Sequence, residues 1–125
     1  MKETILLFHL EDSKARLALE TALFPFRVRI KTIKPEQYCQ TLGALAGIET
    51  ELEDAQYNGS ELDAPMLIFA GIPDNKLNQM LQSLRKKGVQ LPYKAILTPT
   101  NASWTPTACF EEIKKEHEIM HAKKD

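Results

Sequence analysis

Two short stretches of the 125-residue chain hold residue types that could do chemistry. The first is KAILTPTNASWTP, Lys94 to Pro106, in which an apolar strand gives way to the hydroxyls of Thr98 and Thr100, the amide of Asn101 and the chain's one tryptophan, Trp104. With adjacent backbone N–H groups these residues could present donors to an anionic or amide-bearing ligand over which the indole packs. They also have a plainer use. Asn101 can bond its own loop backbone, the threonines can satisfy a strand end, and Trp104 can lid a core.

The second stretch is HEIMH, His117 to His121, two histidines one helical turn apart with a glutamate between them. Zinc hydrolysis in this pattern needs a third protein ligand, and only AKKD follows. No metal site is therefore expected, and two solvated histidines near a helix carboxyl end are the preferred reading. The remaining histidine, His9, directly follows the first apolar run, where Glu11 or Asp12 could orient it as a general base. No G-x-S-x-G elbow and no glycine-rich phosphate loop is present, so no catalytic residue and no cofactor are assigned.

The composition bounds the partners. A chain with 43% hydrophobic and 26% charged residues and a formal net charge of −1 is an ordinary globular domain, without the charge excess that nucleic acid or an anionic membrane would reward. Cys39 and Cys109 lie far apart and outside C-x-x-C spacing, so they read as buried, inert thiols. The first residues lack a signal-peptide core and no run approaches a membrane span, so a cytoplasmic protein is expected.

Alternating periodicities supply the elements that must position these residues. TILLF, Thr4 to Phe8, is continuously apolar, as a strand covered on both faces would be. Asp12 or Ser13 can cap a helix with Ala15, Ala18, Leu19 and Ala22 on one stripe, which Pro25 stops. FRVRIKTI alternates Phe26, Val28 and Ile30 with Arg27, Arg29 and Lys31, predicting a charged edge strand. PEQYCQTLGALAG predicts a helix from Pro35 to Gly47. Residues 48–64 carry acids without apolar period and are expected to be a solvated, flexible insertion.

MLIFAG is a second all-apolar strand, and the helix after it has Asp74 placed to cap it and Leu77, Met80, Leu81 and Leu84 facing inward. YKAILT is the last strand; Thr105 then caps a final helix starting at Pro106, with Cys109, Ile113 and Met120 on one stripe. The expectation is one α/β domain over residues 1–125. It is a small three-layer sandwich, flavodoxin-like or Rossmann-like, with a four-stranded, mainly parallel sheet of order 2-1-3-4 and helices on both faces. A ligand would then sit outside the carboxyl ends of the first and third strands. The candidate binding residues are His9, Asp12, Asp74, Thr98, Thr100, Asn101 and Trp104.

The strand and helix of MLIFAGIPDNKLNQML followed by KAILTPTNASW resemble a family of small bacterial proteins known only as a domain of unknown function, number thirty-seven eighty-three. The pattern is carried by Lys94, Leu97, Thr98, Pro99, Thr100, Asn101 and Trp104. It implies a free-standing domain and no particular reaction. Glu11-Asp12 and Thr98-Pro99 also look like the layout of receiver domains in bacterial two-component signalling. Ala70 and Gly71 stand where such a domain needs its phospho-accepting aspartate.

Two functions from different classes follow. The first is a non-catalytic binding or regulatory module that uses the Thr98–Trp104 loop for a protein partner or a small polar ligand. The second is a small enzyme acting on a polar metabolite, with His9 as acid or base and Thr98 and Asn101 orienting the substrate. A homodimer through an apolar helix face is a further partner the sequence leaves open.

Overall fold

The computed structural model describes residues 3–53 and 55–122, with side chains as far as residue 119. In chain order the elements are β1 (Thr4–Phe8), α1 (Ser13–Leu23), β2 (Arg29–Ile33), α2 (Leu42–Leu45), β3 (Met66–Ala70), α3 (Asp74–Lys86), β4 (Lys94–Ile96) and α4 (Pro106–Ala122). Short 3-10 turns occupy Phe24–Phe26 and Pro35–Gln37. The sheet order is β2-β1-β3-β4, so the expected 2-1-3-4 arrangement of an α/β fold is observed.

Successive residues of the two central strands face opposite layers, which is why Ile5–Phe8 and Met66–Ala70 are continuously apolar. Ile5, Leu7, Leu67 and Phe69 pack with Leu19 and Leu23 of α1 and Leu77, Met80 and Leu84 of α3. On the other face, Leu6, Phe8, Met66 and Ile68 meet Tyr38, Leu42 and Leu45 from the α2 region and Cys109 and Phe110 of α4. Two apolar cores, one on each side of the sheet, make the three layers.

The outer pairs, β1 with β2 and β3 with β4, are parallel. The central pair is antiparallel, with Thr4 opposite Ala70 and Phe8 opposite Met66. The sheet is thus mostly parallel, but it consists of two parallel halves placed head to tail. Each half is strand, helix, strand. An approximate two-fold axis normal to the sheet exchanges β1 with β3, β2 with β4 and α1 with α3, leaving α1 and α3 in contact on one face.

Several local expectations are met and two are corrected. Asp12 caps α1, its carboxylate accepting the Lys14 N–H at 3.2 Å, and Thr105 Oγ1 accepts the Ala108 N–H at 3.3 Å to start α4. β2 is an edge strand, though one of its basic side chains is used internally: Lys31 Nζ donates to the Leu45 carbonyl at the end of α2. Asp74 does not cap α3; Pro73 takes that position and Asp74 stands in the first turn, where the helix dipole still favours a carboxylate.

The helix expected from Pro35 to Gly47 is broken in two. Thr41 begins a new helix by accepting the Ala44 N–H, and Gln40 just before it turns inward, 8% exposed. The Gln40 amide accepts from Leu52 N–H at 2.7 Å and donates to the Leu52 carbonyl at 2.9 Å. A straight helix would carry that amide away from the Leu52 backbone it holds.

Candidate functional site

The antiparallel centre of the sheet decides which sequence-predicted residues can meet. In a doubly wound sheet all carboxyl ends lie together; here the end of β1 lies beside the start of β3. The single crevice expected between the first and third strands is therefore not formed. His9 and Asp12 follow β1 at one end of the sheet, while Asp74, Thr98, Thr100 and Asn101 follow β3 and β4 at the other. Four strand steps separate the two ends, about 13 Å. His9 consequently does not share a site with Thr98 and Asn101.

At the β3 and β4 end, the polar groups of the loop bond one another. Asn101, 8% exposed, accepts the Thr98 N–H through Oδ1 at 2.8 Å and donates from Nδ2 to the Ile96 carbonyl at 3.0 Å. Thr98 Oγ1 accepts the Asn101 N–H at 3.2 Å. Two of the side chains that looked like ligand donors, Thr98 and Asn101, are those that fold the loop. Trp104 is half-buried against the second core, and Thr100 is exposed. The loop is tied to α2 by Leu42 N–H to the Trp104 carbonyl and Gly43 N–H to the Ala102 carbonyl, each 2.8 Å.

This rigid loop forms one wall of a surface pocket of about 370 Å³ lined by Ile48, Glu49, Leu97, Thr98, Pro99 and Ala102. Glu49, unremarked in the sequence, is its only carboxylate. Its side chain lies across Gly43, where an added Cβ would come within 2.7 Å of Glu49 Cδ and Oε1, and its Oε2 accepts from Thr41 Oγ1 at 2.9 Å. Gly43 therefore leaves room for the carboxylate to lie over the helix.

The β1 end gathers a different set. His9 has φ of 57°, in the left-handed region, and its Nδ1 lies 3.4 Å from Glu61 Oε2 and 3.9 Å from Glu11 Oε1. Glu61 Oε1 accepts from Tyr38 Oη and from Leu62 N–H at 2.8 Å, which turns Oε2 toward the imidazole. Tyr38 is buried between Phe8 and Tyr57, and that burial, followed by the hydrogen bond to Glu61, pushes its phenol far above the ordinary range. It remains a proton donor. Glu61 comes from the acidic insertion and carried no local signal of its role.

The other sequence candidates are accounted for. Cys109 is buried and its thiol is pushed up to about 11, chiefly by burial, so it is poorly nucleophilic. Cys39 is only half-buried and sits in the turn before α2 rather than on an apolar helix face. His117 packs edge-on against Tyr93, with ring centroids 5.4 Å apart. The side chains of His121 and Met120, the remaining parts of the HEIMH pair and the α4 stripe, lie outside the described residues. Among the described residues no helix is long and apolar enough to cross a membrane.

The receiver-domain likeness is weakened by the antiparallel pairing of β1 with β3, because that layout has all strands parallel. Neither a curated protein nor a solved structure matches the chain. The family resemblance is borne out: residues 65–120, from β3 into α4, match the model of the family described as Domain of unknown function (DUF3783).

Proposed function

We propose that the chain is a non-catalytic binding or regulatory module whose contact surface is the pocket between the Thr98–Trp104 loop and the Ile48–Glu49 turn. The reading rests on one observation: Thr98 and Asn101 spend their side chains on backbone groups of the loop itself, leaving a braced, largely apolar wall that faces a single oriented carboxylate. A pre-ordered loop loses little entropy on binding. The surface suits a segment of a protein partner that offers an apolar side chain beside an ammonium, guanidinium or N–H donor.

The placement of His9 favours a binding role over the alternative of a small enzyme. In that alternative His9 would act with Thr98 and Asn101, and they stand at opposite ends of the sheet. The test is a ¹H–¹⁵N NMR titration with short peptide amides that pair Leu or Ile with Lys or Arg. Shift changes confined to Ile48, Glu49 and residues 97–102, and lost in Glu49→Gln, are expected. Changes that map elsewhere, or that survive Glu49→Gln undiminished, refute the assignment.

A further inference from the structure

The His9 end of the sheet has no part in that proposed surface, and its geometry points to a ligand of its own. We propose that His9, Glu11 and Glu61 bind a divalent transition-metal cation, with zinc the ion best suited to one imidazole nitrogen and two carboxylates. Among the described residues these three form the one group whose ligand atoms all lie within 4.8 Å of one another.

The spacing itself favours an ion between the ligands. A hydrogen-bonded ion pair brings nitrogen and oxygen to about 2.8 Å. A tetrahedral ion held at 2.0–2.2 Å sets its ligands about 3.3–3.6 Å apart. His9 Nδ1 stands 3.4 Å from Glu61 Oε2, inside that range, and 3.9 Å from Oε1 of the exposed Glu11, just outside it, and it is a buried nitrogen that makes no hydrogen bond. A neutral imidazole with two carboxylates carries two negative charges, which a dication balances.

The surroundings are those of a ligand set held in place. Glu61 is oriented by the Tyr38 hydroxyl and the Leu62 N–H on its other oxygen, the kind of outer-shell bonding that fixes metal ligands. His9 is kept in a left-handed conformation that strains a non-glycine residue. The residue after β3, at the position related to His9 by the internal two-fold, is Gly71 with φ of 71°. The turn geometry therefore suits glycine, and histidine occupies it at a cost in strain. Three protein ligands leave a fourth position for water or another donor.

Calorimetric titration with zinc chloride tests the proposal, in a His121→Asn background that breaks the HEIMH pair. One zinc per chain is expected, with Glu11→Gln and His9→Gly each weakening binding at least tenfold. Glu11 is 82% exposed, so its substitution should leave metal-free stability unchanged; His9→Gly suits the turn and should not lower it. Tyr38→Phe, which removes an orienting bond only, should weaken zinc by about tenfold. Equal affinity in the Glu11 and His9 variants, or no saturable binding below about 1 mM zinc, overturns the site. These outcomes are separate from the Glu49 titration, which concerns the other end of the sheet.

Discussion

Replacing Asn101 by alanine is the sharpest test of what the Thr98–Trp104 loop is for. The substitution removes the acceptor of the Thr98 N–H and the donor to the Ile96 carbonyl, while the reverse bond from Asn101 N–H to Thr98 Oγ1 can persist. Each lost bond is worth about 1 kcal/mol net, and each orphaned backbone group adds up to about 1–3 kcal/mol if water cannot reach it. Thr98 and Ile96 are both exposed, so water repairs much of the second term. The sum is about 2 kcal/mol, which for a domain of this size lowers Tm by roughly 8 °C. Urea unfolding should show an earlier midpoint with an unchanged slope. A loss below about 0.5 kcal/mol would place Asn101 among ordinary surface substitutions and refute the view that its amide holds the loop.

Gly43→Ala should separate fold from binding. Alanine is favoured over glycine within a helix by about 1 kcal/mol, which offsets the cost of pushing the flexible Glu49 carboxylate aside. Stability should stay within about 0.5 kcal/mol while the peptide-induced NMR shifts at the pocket disappear; unaltered shifts would show that Glu49 need not lie over Gly43. Alkaline pH should destabilise the chain. Burial holds the Cys109 thiol at about 11 against 9.0 when unfolded and raises the Tyr38 phenol above its usual 10.0, so the unfolded chain releases these protons first. The protection is complete below about pH 9 and is lost as pH rises through the folded values. Cys109→Ala, though less stable at neutral pH, should show a shallower decline of the urea midpoint from about pH 9 upward; parallel declines would refute this origin.

Much of the fold could be read from residue patterns because each layer imposes its own period. TILLF from Ile5 onward and MLIFA throughout are apolar since both faces of the sheet are covered, and Asp12 and Thr105 announce helix starts through their short side-chain acceptors. Strand direction was not legible. An all-apolar strand presents the same pattern whichever way it runs, and here the 46–65 connection delivers β3 antiparallel to β1. That one unknown dissolved the expected crevice. The break at Gln40 was hidden for a related reason, since Pro35 and Gly47 are sound punctuation for one long helix and only the long-range bonds to Leu52 reveal why it divides. Asn101 was legible as a loop brace because its partners lie within five residues. Glu61 was not, because nothing local distinguishes it from the other acids of the insertion, and only folding sets it against His9 and Tyr38.

The internal two-fold gives the chain its own control experiment. Both turns from a central strand into its helix use the same left-handed step, one written FHLEDS and the other AGIPDN, so each position in one has a counterpart in the other. Leu10 answers Ile72, a substitution a shared geometry tolerates with little change of character, and Asp12 answers Asp74, although Asp12 caps its helix and Asp74 stands in the first turn of its own. Histidine answering glycine is of another kind, since the geometry alone favours glycine. The second half thus reports what the turn requires, and the difference isolates what the first half has added.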